Sequence, residues 1–69
     1  MSETIGERIK YLRESHDMTR IALAKLMHVD RRTVSRWEEG AAALRHTDIE
    51  RLSEIFRISC DYIVTGKIK

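Results

Sequence analysis

Near the start of the chain, apolar residues recur at three- and four-residue spacing, with polar residues such as Arg8 around them. The apolar positions are Ile5, Ile9 and Leu12. This spacing is typical of an amphipathic α-helix. Thr4 stands before the stripe and Glu7 three residues after Thr4, which is the spacing of a capping box. The pattern predicts a first helix that begins after Thr4 and stops at a polar turn, residues 15–17.

Two shorter helices are predicted in the next segment, each opened by a residue whose side-chain oxygen can cap free backbone amides. Thr19 opens the first, which ends at His28, and Asp30 opens the second, which ends at Gly40. The residues expected to face the core are Leu23, Ala24, Met27, Val34 and Trp37. The opposite face of the second helix is formed by Arg31, Arg32, Ser35 and Arg36. A helix of this kind leaves a polar, mostly cationic face free to contact a partner.

The remainder of the chain predicts a fourth and a fifth helix. Thr47 and Glu50 repeat the capping-box spacing, and Ser59 and Gly66 bracket a last short helix. The buried face of the fourth helix is expected to contain Ile49, Leu52, Ile55 and Phe56. Residues 41–44 follow a glycine stop and are interpreted as a connector. The sequence therefore predicts an all-α, compact five-helix fold and a single domain over residues 1–69.

The positions of the charged residues along the chain are more informative about function than the net charge. The 69 residues suffice for one core, and 13 Lys and Arg against 11 Asp and Glu give a net charge of only +2. From Lys25 to Trp37, however, four cationic residues stand against one acid, whereas acids gather from Glu38 onward. Such local segregation is typical of an edge that faces DNA.

Several function classes are disfavoured by what the sequence lacks. Cys60 has no second cysteine to pair with and the histidines are dispersed, so we expect neither a metal nor a cofactor. We find no glycine-rich phosphate loop and no HExxH motif, so we do not expect an enzyme. No apolar run approaches the roughly 18 residues of a membrane span, and the start has no signal-peptide pattern. We expect a cytoplasmic protein.

Residues 19–39 have the features of a helix-turn-helix, which needs a small residue at the helix contact and an apolar anchor on the second helix. Ala24 and Val34 occupy these places. The segment MTRIALAKLMHVDRRTVSRWEEG resembles the pattern LTQEELAxxLGVSxxTISRWExG of the Xre-like family of phage repressors, Cro proteins and bacterial regulators. IGERIKYLRE and ISCDYIVTG also resemble the first helix and the terminal motif of that family. The resemblance implies a lambda-repressor-like domain that regulates transcription by binding double-stranded DNA.

The resemblance also implies roles for individual residues. Base contacts in the major groove fall to Arg31, Arg32, Ser35 and Arg36. Three arginines there favour guanine, to which they can donate two hydrogen bonds. Phosphate contacts fall to Thr19, Arg20 and Arg45. Arg13 and Glu38 match positions that in many relatives form an ion pair, whose role would be to orient the recognition helix.

The chain departs from the family pattern at several positions. Arg20 replaces a glutamine that usually binds a phosphate and braces a base-reading side chain. His28 replaces the turn glycine, and His tolerates positive φ better than most residues. Residues 41–43 are alanines where relatives often carry phosphate-binding cations. Ile21 and Leu26 stand at usually polar positions, where a methyl contact, a partner surface and no role all remain open.

A single recognition helix offers few base contacts, so we expect a homodimer on a pseudo-palindromic operator. Family members often pair through the region that here comprises the connector after Gly40 and the last helix around Tyr62 and Ile63. The resemblance favours a repressor of bacterial or phage origin. The alternative is a protein-interaction module of the same fold, such as an antitoxin or adaptor. The arginines of the third helix disfavour this alternative.

Overall fold

The computed structural model describes residues 3–67, and this part of the chain forms five α-helices without a strand. They are α1 (Ile5–Ser15), α2 (Arg20–Met27), α3 (Arg31–Glu39), α4 (His46–Phe56) and α5 (Cys60–Thr65). The all-α, five-helix prediction is confirmed. Residues 41–44 form the predicted connector between α3 and α4.

Most helices begin and end where the capping residues predicted. Thr4 Oγ1 accepts the Glu7 amide at 3.1 Å and Glu7 accepts the Thr4 amide at 2.8 Å, which completes the first capping box. The other predicted N-caps also accept the expected amides; they are Thr19, Asp30 and Ser59. Gly40 and Gly66 end α3 and α5 in the left-handed conformation that favours glycine.

The start of α4 was predicted wrongly. The helix begins at His46, so Arg45 is the N-cap residue, and the Asp48 carboxylate accepts the Arg45 amide at 2.9 Å. Thr47 and Glu50 therefore lie inside the helix rather than at its cap. Asp48 lies three residues after Arg45 and accepts its free amide, so α4 begins two residues earlier than the spacing of Thr47 and Glu50 predicted. Leu52 and Phe56 still face the core, and Ile49 and Ile55 are half-buried against it.

The core lies between α1, α2 and α3 on one side and α4 and α5 on the other. Its members are Ile9, Leu12, Leu23, Ala24, Met27, Val34, Trp37, Leu52, Phe56 and Ile63. Ile63 is completely buried, so the expectation that it contributes to a surface between two copies is wrong. On a helix, neighbouring residues point about 100° apart, and here Val64 is the exposed one.

Helices α1 and α3 approach each other so closely that only glycine fits at their crossing. A Cβ atom on Gly6 would lie 2.3 Å from the Trp37 carbonyl oxygen and 2.7 Å from that of Glu38. Both atoms belong to the backbone of α3, so neither can rotate away. Gly6 thereby sets how deeply α3 seats against the rest of the fold.

The assembled helices are small, with principal dimensions of 31 × 23 × 23 Å. Among the described residues, no helix combines the length and the apolar character needed to cross a membrane.

Candidate nucleic-acid interface

The outer face of α3 carries the predicted base-contacting residues. Arg31, Arg32 and Arg36 are exposed, and Ser35 is half-buried. Val34 and Trp37, on the opposite face, are buried in the core, and this fixes which side of α3 meets solvent. The structure therefore brings these four polar residues together on one accessible surface.

The arginines on this face are only lightly engaged by the protein itself. Arg32 Nε lies 3.4 Å from Asp30 Oδ1, and its side chain is 84% exposed. Arg31 and Arg36 make no hydrogen bond or ion pair to another described residue through their side chains. The amide of Arg32 donates to Asp30, and this hydrogen bond, together with nearby arginine charges, lowers the pKa of Asp30. The guanidinium groups of Arg31, Arg32 and Arg36 are therefore accessible to a hydrogen-bond acceptor on a partner molecule.

The turn between α2 and α3 is set by His28. It adopts the left-handed conformation, with φ of 59°, where family members usually have glycine. The amide of the next residue, Val29, donates to the Ala24 carbonyl at 3.0 Å and closes the end of α2. The prediction that His28 accommodates positive φ is confirmed.

The amino-terminal ends of α2 and α3 border one open hollow of about 440 Å³. Its lining includes Thr19, Arg20 and Arg31, together with Lys10 from α1. Glu14 is the acidic residue in this lining. Helix amino termini carry partial positive charge, so cationic side chains and backbone amides act together here. Lys10 was not singled out from the sequence; its place on α1, beside the helix-turn-helix, shows only in three dimensions.

Arg13 and Glu38 form a close, two-pronged ion pair. Arg13 Nε lies 2.7 Å from Glu38 Oε2, and Arg13 Nη2 lies 3.2 Å from Oε1. Both side chains are almost fully buried, and the remaining Arg13 nitrogen donates to the Met18 carbonyl. The hydrogen bond to Glu38 raises the pKa of Arg13 despite its burial. The pair thus links α1 to the carboxyl end of α3.

Arg20 joins the same carboxylate. Its Nε donates to Glu38 Oε1 at 3.0 Å, and its side chain is 42% exposed. Thr19 Oγ1 accepts the Ala22 amide, which leaves its hydroxyl hydrogen for another acceptor.

Arg45 stands apart from this cluster. It precedes α4, its side chain is 85% exposed, and its Nε lies 3.8 Å from Asp48. None of its hydrogen bonds or ion pairs within the described residues joins it to α2 or α3.

Arg8 is the important residue that sequence reasoning misplaced. It is 4% exposed and donates through Nε to Ile63 O at 2.8 Å and through Nη2 to Val64 O at 2.8 Å. Its spacing of three residues from Ile5 and four from Leu12 puts it on the apolar face of α1, and this was the available signal. The role of Arg8 is to tie α5 to α1, away from α3.

Within residues 3–67, no group of three or more His, Cys, Asp or Glu residues could hold a metal ion. Cys60 is a half-buried free thiol.

A tight turn between two short helices, with the second helix exposing a cationic face, defines a helix-turn-helix protein. A helix-turn-helix family model matches residues 9–63. The chain therefore belongs to this helix-turn-helix family, as its resemblance to Xre-like regulators predicted.

Two known proteins show how far the sequence similarity extends. The chain is 35% identical over 63 residues to the transcriptional regulator DicA of Escherichia coli, covering 91% of this chain and 47% of DicA. It is 33% identical over 55 residues to the antitoxin PezA of Streptococcus pneumoniae, covering 80% of this chain and 35% of PezA. The chain thus spans less than half the length of these two relatives.

Among solved structures, the fold matches the P22 c2 repressor in complex with a synthetic operator. The TM-score is 0.89 at 27% identity, covering 96% of this chain and all of that one. The lambda-repressor-like fold is therefore confirmed over nearly the whole length of both chains.

Proposed function

We propose that this protein is a sequence-specific, double-stranded DNA-binding transcriptional regulator, most simply a repressor. The observation that carries the proposal is the free cationic face of α3, where Arg31, Arg32 and Arg36 are exposed and lightly engaged. An α-helix fits the major groove, and arginine can donate two hydrogen bonds to guanine. Ser35, beside them, can donate to or accept from a base edge.

The remaining roles follow from the positions around that face. Thr19 and Arg20 lie beside Arg31 in the hollow at the helix amino termini, where a DNA phosphate would be attracted. Arg45 is exposed and would contact a phosphate from the start of α4. The ion pair of Arg13 with Glu38 would hold α3 at the angle that the groove requires. The operator complex of the P22 c2 repressor supports this arrangement through its shared fold.

Two copies would bind a pseudo-palindromic operator as a homodimer. With Ile63 buried, the contact would involve the connector after Gly40, the apolar groove beside it, and Tyr62 and Val64 on the accessible side of α5. That groove has a volume of about 350 Å³, and its lining includes Ile5, Ala42, Leu44 and Ile49. Alanines in the connector leave it free of the charge repulsion that two basic loops would create. The complex should contain two chains per full site.

A protein-interaction module of the same fold is the second candidate. The likeness to the antitoxin PezA and the exposure of Ile21 and Leu26, 53% and 48%, favour it. The exposed arginines of α3 favour DNA instead, because three cations on one helix face suit a polyanion and can each donate two hydrogen bonds to guanine.

Selection from a pool of random DNA duplexes tests the proposal. We expect an enriched motif that contains guanine, bound with an affinity that falls steeply as salt rises. Substituting Arg31, Arg32 or Arg36 by alanine should cost about 10-fold or more and relax one base preference. Arg51→Ala is the matched control, since Arg51 is an exposed arginine on α4. No enrichment, or equal losses from all four variants, would contradict the assignment.

A further inference from the structure

Glu38 serves two arginines from two different helices. Its Oε2 accepts Arg13 Nε at 2.7 Å, and its Oε1 accepts both Arg13 Nη2 at 3.2 Å and Arg20 Nε at 3.0 Å. The carboxylate is 1% exposed, so its lone pairs are directed almost entirely to these two groups. The Glu38 carboxylate thus faces two positive charges, and the exposed Glu14 adds a second negative charge 3.9 Å from Arg13 Nη2.

The two arginines use this carboxylate differently. Arg13 is buried, and all three of its side-chain nitrogens donate hydrogen bonds within the protein, to Glu38 and to the Met18 carbonyl. Arg20 is half-exposed and engages only Nε, and among the described residues its two Nη nitrogens have no hydrogen-bond partner. Four N–H donors of Arg20 are therefore unused, in a hollow that Lys10 and Arg31 also line.

We propose that Glu38 is a positioning residue for Arg20, which bridges the buried carboxylate and a DNA phosphate at the same time. Nε stays on Glu38 while the Nη nitrogens bind the phosphate. The inference rests on the proposed function and adds a second task for Glu38, beside its pairing with Arg13. A long side chain that is already held loses less conformational entropy when it binds, so the carboxylate strengthens the phosphate contact.

The rival arrangement makes the opposite prediction. If Arg20 had to leave Glu38 to reach the phosphate, the carboxylate would compete with DNA for the guanidinium. Removing the carboxylate would then make Arg20 more valuable for binding. The sign of the coupling between the two residues separates the two arrangements.

A double-mutant cycle with Arg20→Met and Glu38→Gln measures that sign, using binding to a random-sequence duplex and to a selected site. In the wild-type background, Arg20→Met, which keeps the side-chain length but has no donor, should weaken binding about 5-fold and lower the slope of log K against log salt by about 0.9, the value for one phosphate. In the Glu38→Gln background, the same change should cost less than about 2-fold. An equal or larger loss there would overturn the bridge.

The cycle also separates this role from that of Arg13. Because Glu38→Gln is present on both sides of the second comparison, its effect on Arg13 cancels. If Glu38→Gln fails to fold, the Arg13→Met/Glu38→Gln background removes the buried pair together and permits the same comparison. Thermal unfolding shows that each variant is folded at the temperature of the binding assay.

Nuclear magnetic resonance gives a readout that a purely structural role would not move. In the wild type we expect a slowly exchanging Arg20 Nε–H signal that persists when DNA is added and is lost in Glu38→Gln. Loss of the signal on adding DNA to the wild type would overturn the bridge. If the wild type binds no duplex even at low salt, the proposed function fails; binding without the predicted coupling removes only this inference.

Discussion

Helix α1 is tied to two other helices by buried arginines whose acceptors differ. Toward α5, Arg8 donates to the backbone carbonyls of Ile63 and Val64. Toward α3, Arg13 donates to the Glu38 carboxylate. Carbonyls are neutral and fixed by the helix that carries them, whereas a carboxylate brings a full charge on a side chain.

The junction made by Arg8 stabilises the fold, whereas the junction made by Arg13 also bears on the proposed DNA-binding surface. Arg8 caps the last carbonyls of a short helix, so it closes the fold and has no connection to the exposed arginines of α3. Glu38 lies on α3 itself and also holds Arg20, so the second junction connects the core to the proposed DNA-binding surface. Damage to the first should cost stability, and damage to the second should cost both stability and DNA binding.

The largest loss is expected where α1 meets α3 through backbone. Gly6→Ala places a Cβ atom 2.3 Å from the Trp37 carbonyl oxygen, and relief requires α3 to shift. We expect the free energy of unfolding to fall by about 4 kcal/mol, above the usual range for overpacking, because backbone cannot rotate away. Gly40→Ala is the control: it meets no atom within 4 Å and loses only the preference of glycine for positive φ. Equal losses in urea unfolding would contradict the close approach.

Breaking the charged junction should cost somewhat less. Arg13→Met leaves Glu38 buried with Arg20 alone, and we expect a loss of about 3 kcal/mol. The double variant Arg13→Met/Glu38→Gln should be more stable than Arg13→Met, because the buried side chain at position 38, left with Arg20 alone, no longer carries a charge. Denaturant unfolding of the four members of this cycle measures the coupling, and additive losses would show that the pair contributes nothing as a pair.

The neutral junction provides the contrast. Arg8→Met leaves the Ile63 and Val64 carbonyls without their donor, and we expect a loss of about 2 kcal/mol. Amide hydrogen exchange should rise mainly in α5. The DNA affinity of the folded protein should be unchanged, because none of the hydrogen bonds or ion pairs of Arg8 within the described residues joins it to α3. A drop in affinity comparable with that of Arg13→Met would erase the distinction between the two junctions.

The smallest effect concerns the exposed cap of α3. The Arg32 amide lowers the pKa of Asp30, so the ionised cap stabilises the fold above the ordinary aspartate pKa of about 3.9 and is lost as pH falls below it. Asp30→Asn keeps a good N-cap at neutral pH but cannot ionise. Its stability should therefore fall less steeply on acidification than that of the wild type. Parallel curves of unfolding free energy against pH would count against this role of Asp30.

How much the sequence could predict depends on whether a feature is local. Caps such as Thr4 and Asp30 act within three residues, so their spacing identifies helix ends correctly. The spacing of Thr47 and Glu50 misplaced the start of α4, because Asp48 accepts the Arg45 amide and the helix begins earlier. The spacing of Arg8 puts it on the apolar face of α1, but its acceptors on α5 and the sharing of Glu38 by Arg20 involve helices distant in sequence, so the local pattern could not predict them. The base contacts and the dimer stay predictions, since they involve molecules outside the chain.

The dimensions of the described fold, 31 × 23 × 23 Å, have a consequence for operator architecture. Half-sites on one face of the duplex are about 34 Å apart, so two copies whose long axes lie along the duplex would nearly fill the interval and touch only along a narrow rim. One inserted base pair would move the copies apart by about 3.4 Å and rotate one against the other by about 36°. The few contacts along such a narrow rim would be lost on that displacement. Cooperative binding would therefore discriminate between operators by the length of the central spacer as well as by their bases.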